Sequence, residues 1–155
     1  MLRKLISTSD DSAIFVVRIV LGTVILAHGL QKLFGWFGGH GVSWTLEAWQ
    51  KWWGLPPVIT MLVILGESFG ALALIIGLGG RFMAASIGII MFGAMYLVNA
   101  RWGFFMNWYS EPQRGEGFEL HLLVLGMVIA ILMKGSGRWS LDRWLQQKYF
   151  SSDIL

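Results

Sequence analysis

The sequence predicts an all-α integral membrane protein. The expected architecture is a four-helix bundle of short spans, with N and C termini cytoplasmic and a C-terminal interfacial helix. Three observations carry this reading. The chain of 155 residues is 55% hydrophobic and only 14% charged, whereas a soluble domain carries about 25%. Its mean hydropathy is +0.62. Its apolar residues gather into runs at 13–34, 58–78, 82–98 and 118–133, each near the ~20 residues that a bilayer crossing requires.

The flanks explain where each run starts and stops. The first follows MLRKLISTSDD, which resembles the basic start of a signal peptide. Arg18 interrupts the apolar segment, however, and no small-residue cleavage pattern follows, so the run is read as a retained anchor. Pro56-Pro57 stops the chain and suits a helix start. GLGGR at 77–81 is a tight turn between the second and third runs. The last two runs are short and suit a thin bilayer or little tilt. Beyond them, SLDRWLQQKYF sets Leu141, Trp144, Leu145 and Tyr149 at helical spacing opposite charged and amide residues, the pattern of a helix on a membrane surface. The whole chain, 1–155, is read as one domain.

Orientation follows from the basic residues in the flanks. Arg3, Lys4, Arg81, Lys134, Arg138, Arg143 and Lys148 fall on the side holding both termini, against Lys51, Arg101 and Arg114 on the other. Both termini are therefore expected inside. Trp36, Trp44, Trp49, Trp52, Trp53, Trp102 and Trp108 all belong to the outer side. They are read as interface anchors in connections that lie in the interface and cap the interior.

Several chemistries are excluded. The chain has no cysteine, so it supplies no disulfide, thiol or iron–sulfur ligation. A net charge of +3, scattered among span flanks, does not suit nucleic-acid binding. Glu116-x-x-Glu119 is broken by glycines, and no metal site is assigned. His28 and His121 are expected on opposed faces, which argues against haem.

The polar residues inside the runs carry the functional reading. At 100° per residue, Gly22, Ile25, Gly29 and Lys32 fall within about 40° of Arg18, with His28 at the edge of that stripe. Glycines let helices approach closely in a bundle, and charges avoid lipid; both rules select this face. In the second run Gly66, Gly70 and Gly77 share an arc of about 40°, with Glu67 at its border. An isolated charge there costs about 2.5–3.5 kcal/mol on insertion scales, so Glu67 requires Arg18 or Lys32 as a partner. In the fourth run Glu119 shares a face with Gly126 and Ala130 and is expected to point inward, with His121 about 200° away. Asn99 ends the third run on the outer side. Arg18, Lys32, Glu67 and Glu119 would then form a neutral interior set that opens outward. The bland reading is that the ion pair only fixes helix register, Lys32 snorkels to the interface and Glu119 is a surface loop residue.

With RIVLGTVILAHGLQKLFG, GESFGALALIIGLGGR, GFELHLLVLGM and GSGRWSLD, the chain resembles the DoxX/DoxD family of small four-helix membrane proteins over about residues 13–142. The resemblance implies a bacterial inner-membrane, multi-pass protein. It also implies the membrane subunit of a redox system of the thiosulfate:quinone oxidoreductase type, with a membrane or soluble partner subunit. On that reading a small sulfur oxyanion approaches from the outer side, where Lys32 and Arg18 neutralise its charge, and His28 with Glu67 or Glu119 handles quinone protons, His28 and Glu67 being taken as the catalytic pair. Arg18, Lys32, Asn99, Glu119 and His121 bind ligand, and a quinone enters as substrate rather than as a resident cofactor. The alternative is a non-catalytic scaffold or a small-solute-binding or transport protein. Beyond the lipid bilayer, small-residue seams would suit a homo-oligomer.

Overall fold

The computed structural model describes residues 5–150; Arg3 and Lys4, counted above for orientation, lie outside the described residues. Among those residues there are six helices and no strand: α1 (Ser12–Phe34), α2 (Gly41–Trp53), α3 (Pro57–Ile76), α4 (Gly80–Trp102), α5 (Glu119–Lys134) and α6 (Leu141–Phe150). Three are long and apolar enough to cross a membrane. They are α1 and α4 with 23 residues each and α3 with 20, at mean hydropathies of 2.2, 1.8 and 2.2. The third run is thus longer than expected, because a π-turn at Met95–Asn99 and a 3-10 turn at Ala100–Trp102 extend α4 through Asn99 and Arg101. The short α2, hidden in what reads as an outer connection, was not expected as a helix.

Local chemistry sets the helix ends. The Asp11 carboxylate accepts the Ala13 and Ile14 N–H groups at 2.9 and 3.4 Å, capping α1. Gly35, at φ 74, ends α1 in the left-handed conformation, with its N–H on the Gln31 carbonyl, as Gly77 does for α3 at φ 73. Such a cap favours glycine because it lacks a Cβ.

α1 packs on α3 and α5, and α4 packs on α3 and α5. Leu21, Ile25, Ala71, Leu74, Ala84, Ile87, Val124, Val128 and Ile131 form the shared core. Gly29 lies so close to α3 that a Cβ would overlap the Glu67 backbone; this is the small-residue contact that lets membrane helices meet. Outward, Val16, Val20, Leu62, Phe69, Leu72, Phe82, Ile89, Phe92, Leu123 and Ile129 are exposed. Apolar exposure on this scale is what a lipid-facing surface presents.

One end of the bundle is latched by charge. Arg18 is fully buried. Its guanidinium donates to the carbonyls of Leu74 (2.9 Å), Ser136 (2.8 Å) and Trp139 (3.0 Å), and to that of Ile75. Leu74 and Ile75 lie in the last turn of α3, where carbonyls lack helical partners and a cation is favoured. Arg81 does the same for α5, donating to Leu132 and Met133. Asp142, at the start of α6, accepts the Gly79 and Gly80 N–H groups at 2.8 and 2.9 Å and the Ser136 hydroxyl at 2.6 Å. Asp10 pairs with Arg138 and Arg143 at 2.8 and 2.7 Å. The hydrogen bond from Arg138 holds the Asp10 carboxyl below the usual carboxylate range.

Candidate functional site

At the opposite end from this latch the helices part around a cavity of about 520 Å³. Its walls are apolar over most of their extent: Val24 and Ile25 from α1, Ile59 and Val63 from α3, Ile89, Ile90, Leu97 and Val98 from α4, and Val124 from α5. Trp49 and Trp53 of α2 and Met106 of the 103–118 loop also line it. The polar liners are His28, Lys32, Glu67, Asn99, Glu116 and His121.

Two π-turns flank the cavity. GESFG, at Gly66–Gly70, winds as a π-turn within α3, and MYLVN, at Met95–Asn99, does so within α4. A π-turn inserts a residue into the helical ladder and is frequent at functional sites. The first carries Glu67, which is 4% exposed, and the second ends on Asn99, whose amide donates to the Glu116 carbonyl at 3.0 Å.

Lys32 Nζ meets Glu67 Oε2 at 2.5 Å. It also reaches the His28 carbonyl at 3.3 Å and sits 5.7 Å from the Trp49 ring centre, a cation–π distance. Each charge thus finds compensation away from bulk water, as a carboxylate at this depth requires. Glu116 accepts the Asn107 backbone N–H at 2.7 Å. His28 Nδ1 lies 3.2 Å from Gln31 Oε1, and His121 Nδ1 has no hydrogen-bond partner among the described residues.

The structure brings together His28, Lys32, Glu67, Asn99 and His121, and separates Arg18 and Glu119 from them. Arg18 does not partner Glu67. It bonds α3 at Leu74 and Ile75, about 10 Å along the helix from Glu67 at 1.5 Å per residue. Lys32, two turns further toward the other end of α1 than Ile25, is the cation at the right depth. The helical wheel placed Arg18 and Lys32 on one stripe correctly but carried no depth. Glu119 does not point inward: its carboxylate accepts the Trp108 indole N–H at 2.7 Å and it is not among the cavity liners. The buried stripe of α5 runs through Val124, Val128 and Ile131, on the side of His121, whereas a Cβ at Gly126 would meet nothing within 4 Å. Gly126 marks no seam here, so taking its face as the interior reversed the assignment. His28 and His121 therefore line one cavity rather than opposed faces.

The sequence reading also missed Glu116, Trp49 and Trp53 as liners. Thr45 and Ala48, buried at the three-residue spacing of one helix face, followed by Trp49, Trp52, Trp53 and the stop at Gly54, were the available signal for α2. Trp36, Trp44, Trp52 and Trp108 are exposed, as anchors are. No group of three or more metal-ligating His, Asp or Glu side chains occurs among the described residues.

A model of the DoxX family matches residues 13–100, more than half of the chain. The chain belongs to the DoxX family. Inner membrane protein YqjF of Escherichia coli (strain K12) is 26% identical over 140 residues, covering 90% of this chain and 97% of the relative. No solved structure matches the chain. The matched segment spans α1 to the π-turn of α4, so this DoxX protein owes most of its cavity wall to the part recognised as the family. It is a multi-pass protein of the bacterial inner membrane.

Proposed function

We propose that this DoxX protein is the membrane subunit of a quinone-linked redox system and that its cavity takes the quinone ring. In this reading α1, α3, α4 and α5 cross the bilayer as a four-helix bundle with both termini cytoplasmic. The cavity lies in the extracytoplasmic half, and α6 rests on the inner surface. α5 has 16 residues, about 24 Å at 1.5 Å per residue, so the bilayer is thin beside it.

The observation that carries the proposal is the charge balance of the cavity. Among the described residues its lining holds one cation, Lys32, and two acidic residues, Glu67 and Glu116; Lys32 is already paired with Glu67 at 2.5 Å, and the Glu116 carboxylate accepts the Asn107 backbone N–H. With Arg18 at the far end of the helices, no unpaired cation is left among the described residues that line the cavity to hold a sulfur oxyanion there. A neutral ring with two oxygens and an apolar tail suits the walls and the polar groups. The two electrons that reduce a quinone come from a donor of the thiosulfate class, through a partner subunit at the outer surface. The two protons pass through His28 and His121, with Lys32–Glu67 balancing charge as they move. Asn99 orients the ring oxygen at the outer rim.

The test is thiosulfate-dependent reduction of a short-chain quinone by the protein purified with and without co-purifying chains. Quenching of tryptophan fluorescence reports binding directly, since Trp49 and Trp53 line the site. Saturable quenching by quinone but not by thiosulfate supports the proposal, and the reverse pattern refutes it. A second reading, a scaffold or small-solute carrier, draws on the Lys32–Glu67 pair being satisfied without ligand. It predicts no quinone binding and no electron transfer with any partner.

A further inference from the structure

We infer that Gln31 is a positioning residue that fixes His28 in its Nδ1–H tautomer, so that the site prefers a ligand bearing a hydroxyl to one bearing only carbonyl oxygens. The chain of hydrogen bonds has a direction. The Phe37 carbonyl can only accept, so the group 3.1 Å from it is the Gln31 amide nitrogen. The Gln31 oxygen is then the atom facing His28 Nδ1 at 3.2 Å. An amide oxygen can only accept, so Nδ1 of the neutral ring carries the proton. Nε2 is left with a lone pair, on a side chain that lines the cavity. A neutral imidazole held this way accepts a hydrogen bond at Nε2, and donates from that nitrogen only after it has taken up a further proton in transit.

The loop after α1 is built to hold this arrangement. Gly35 ends the helix in the left-handed conformation. Phe37 adopts φ 53, a region that residues with a Cβ enter at a cost. The Gly39 N–H closes the turn on the Trp36 carbonyl at 2.9 Å. Gly39 lies against the Gln31 backbone so closely that a Cβ would overlap it. The stretch LQKLFGWFGG thus folds back to deliver one carbonyl to one side-chain amide. Gln31 lies outside the cavity lining, so its effect on a ligand runs through His28.

The identity of the ligand rests on the quinone reading above: the hydroxyl-bearing form is the quinol, and its O–H would donate to His28 Nε2. The tautomer does not depend on that reading. The experiment has two arms on the full chain in lipid nanodiscs. In the first, 15N-histidine spectra, recorded at a pH where they show a neutral ring, assign the His28 tautomer, with His28→Asn identifying its signals. The parent should show Nδ1 protonated. Gln31→Leu should shift the population toward Nε2–H, and Gln31→Glu, which still accepts, should retain Nδ1–H. Predominant Nε2–H in the parent, or an unchanged spectrum in Gln31→Leu, overturns the inference. In the second arm, a short-chain ubiquinol and the matching ubiquinone are titrated by tryptophan quenching. The parent should bind the quinol about tenfold more tightly, roughly the net worth of one hydrogen bond, and Gln31→Leu should remove that preference. Equal affinity in the parent overturns the hydroxyl preference. Failure of both forms to bind sinks the quinone reading, while the spectra still decide what Gln31 does.

Discussion

Glu67→Gln removes the negative half of the ion pair at the floor of the cavity and leaves Lys32 charged among apolar walls. Breaking one side of a buried pair costs about 3–5 kcal/mol. Two features place this case toward the lower end. The Lys32 side chain keeps 18% exposure, and it retains the His28 carbonyl at 3.3 Å and the Trp49 ring at 5.7 Å. We therefore expect a loss of about 3 kcal/mol, which in a chain of this size lowers Tm by about 6–12 °C. Lys32→Met alone should be similarly harmful, because it strands Glu67, which is 5% exposed in its side chain. Lys32→Met combined with Glu67→Gln removes both desolvated charges and should recover to within about 1 kcal/mol of the parent. Thermal unfolding of the purified variants in detergent, compared as a double-mutant cycle, measures the coupling. Parent-like stability in Glu67→Gln, or a double variant as weak as the sum of the singles, would refute the reasoning. A double variant that folds well but no longer binds quinone marks the pair as functional rather than a register device.

Further outcomes follow from the packing and the latch. Gly29→Ala should destabilise by about 1–3 kcal/mol or more, since its Cβ meets Glu67 backbone. Gly66→Ala should be milder, because its Cβ meets only the movable end of Ile90, and Gly126→Ala should be neutral; equal tolerance at all three would contradict the assigned interfaces, as read from detergent unfolding curves. Asp142→Ala removes the acceptor of the Gly79, Gly80 and Ser136 donors and should cost about 3 kcal/mol at roughly 1 kcal/mol per bond. Limited proteolysis should then cut near α6 first, and unchanged cleavage would mean the latch holds nothing. Reporter fusions after Lys51 and after Arg114 should read extracytoplasmic and one at the C-terminus cytoplasmic; a C-terminus outside would invert the proposed depth of the cavity.

Much of the scaffold was legible in the sequence because membrane helices announce themselves by run length, and each apolar run corresponds to a helix within a few residues. The stripe of Arg18, Gly22, Gly29 and Lys32 was also legible, since helical periodicity fixes which side chains share a face. What periodicity does not carry is depth. Arg18 and Lys32 share a face but lie at opposite ends of α1, and only the antiparallel packing of α3 shows that one meets helix-end carbonyls and the other meets Glu67. The inward face of α5 was misread because the seam was centred on Gly126, whose Cβ position is open, although Ala130 does pack on the core. Small residues make close contact possible without requiring it, and the branched residues Val124, Val128 and Ile131 carry the buried stripe. The two π-turns left no signal in the hydrophobic pattern, and α2 was masked by its tryptophans, which suit an interface anchor and a cavity wall equally well.

The proposed ligand, a neutral, lipid-soluble ring, would bind among His28, Lys32, Glu67 and the tryptophans of α2. The most direct measurement is photolabelling of the protein in membranes with an azido-quinone, followed by mapping of the modified residues by mass spectrometry. Labels are expected on α1 between Val24 and Lys32, on Trp49 or Trp53 and on α4 near Leu97, all competed by excess unlabelled quinone and unaffected by thiosulfate. Labels scattered over the lipid-facing residues without competition, or labels competed by thiosulfate, would contradict it.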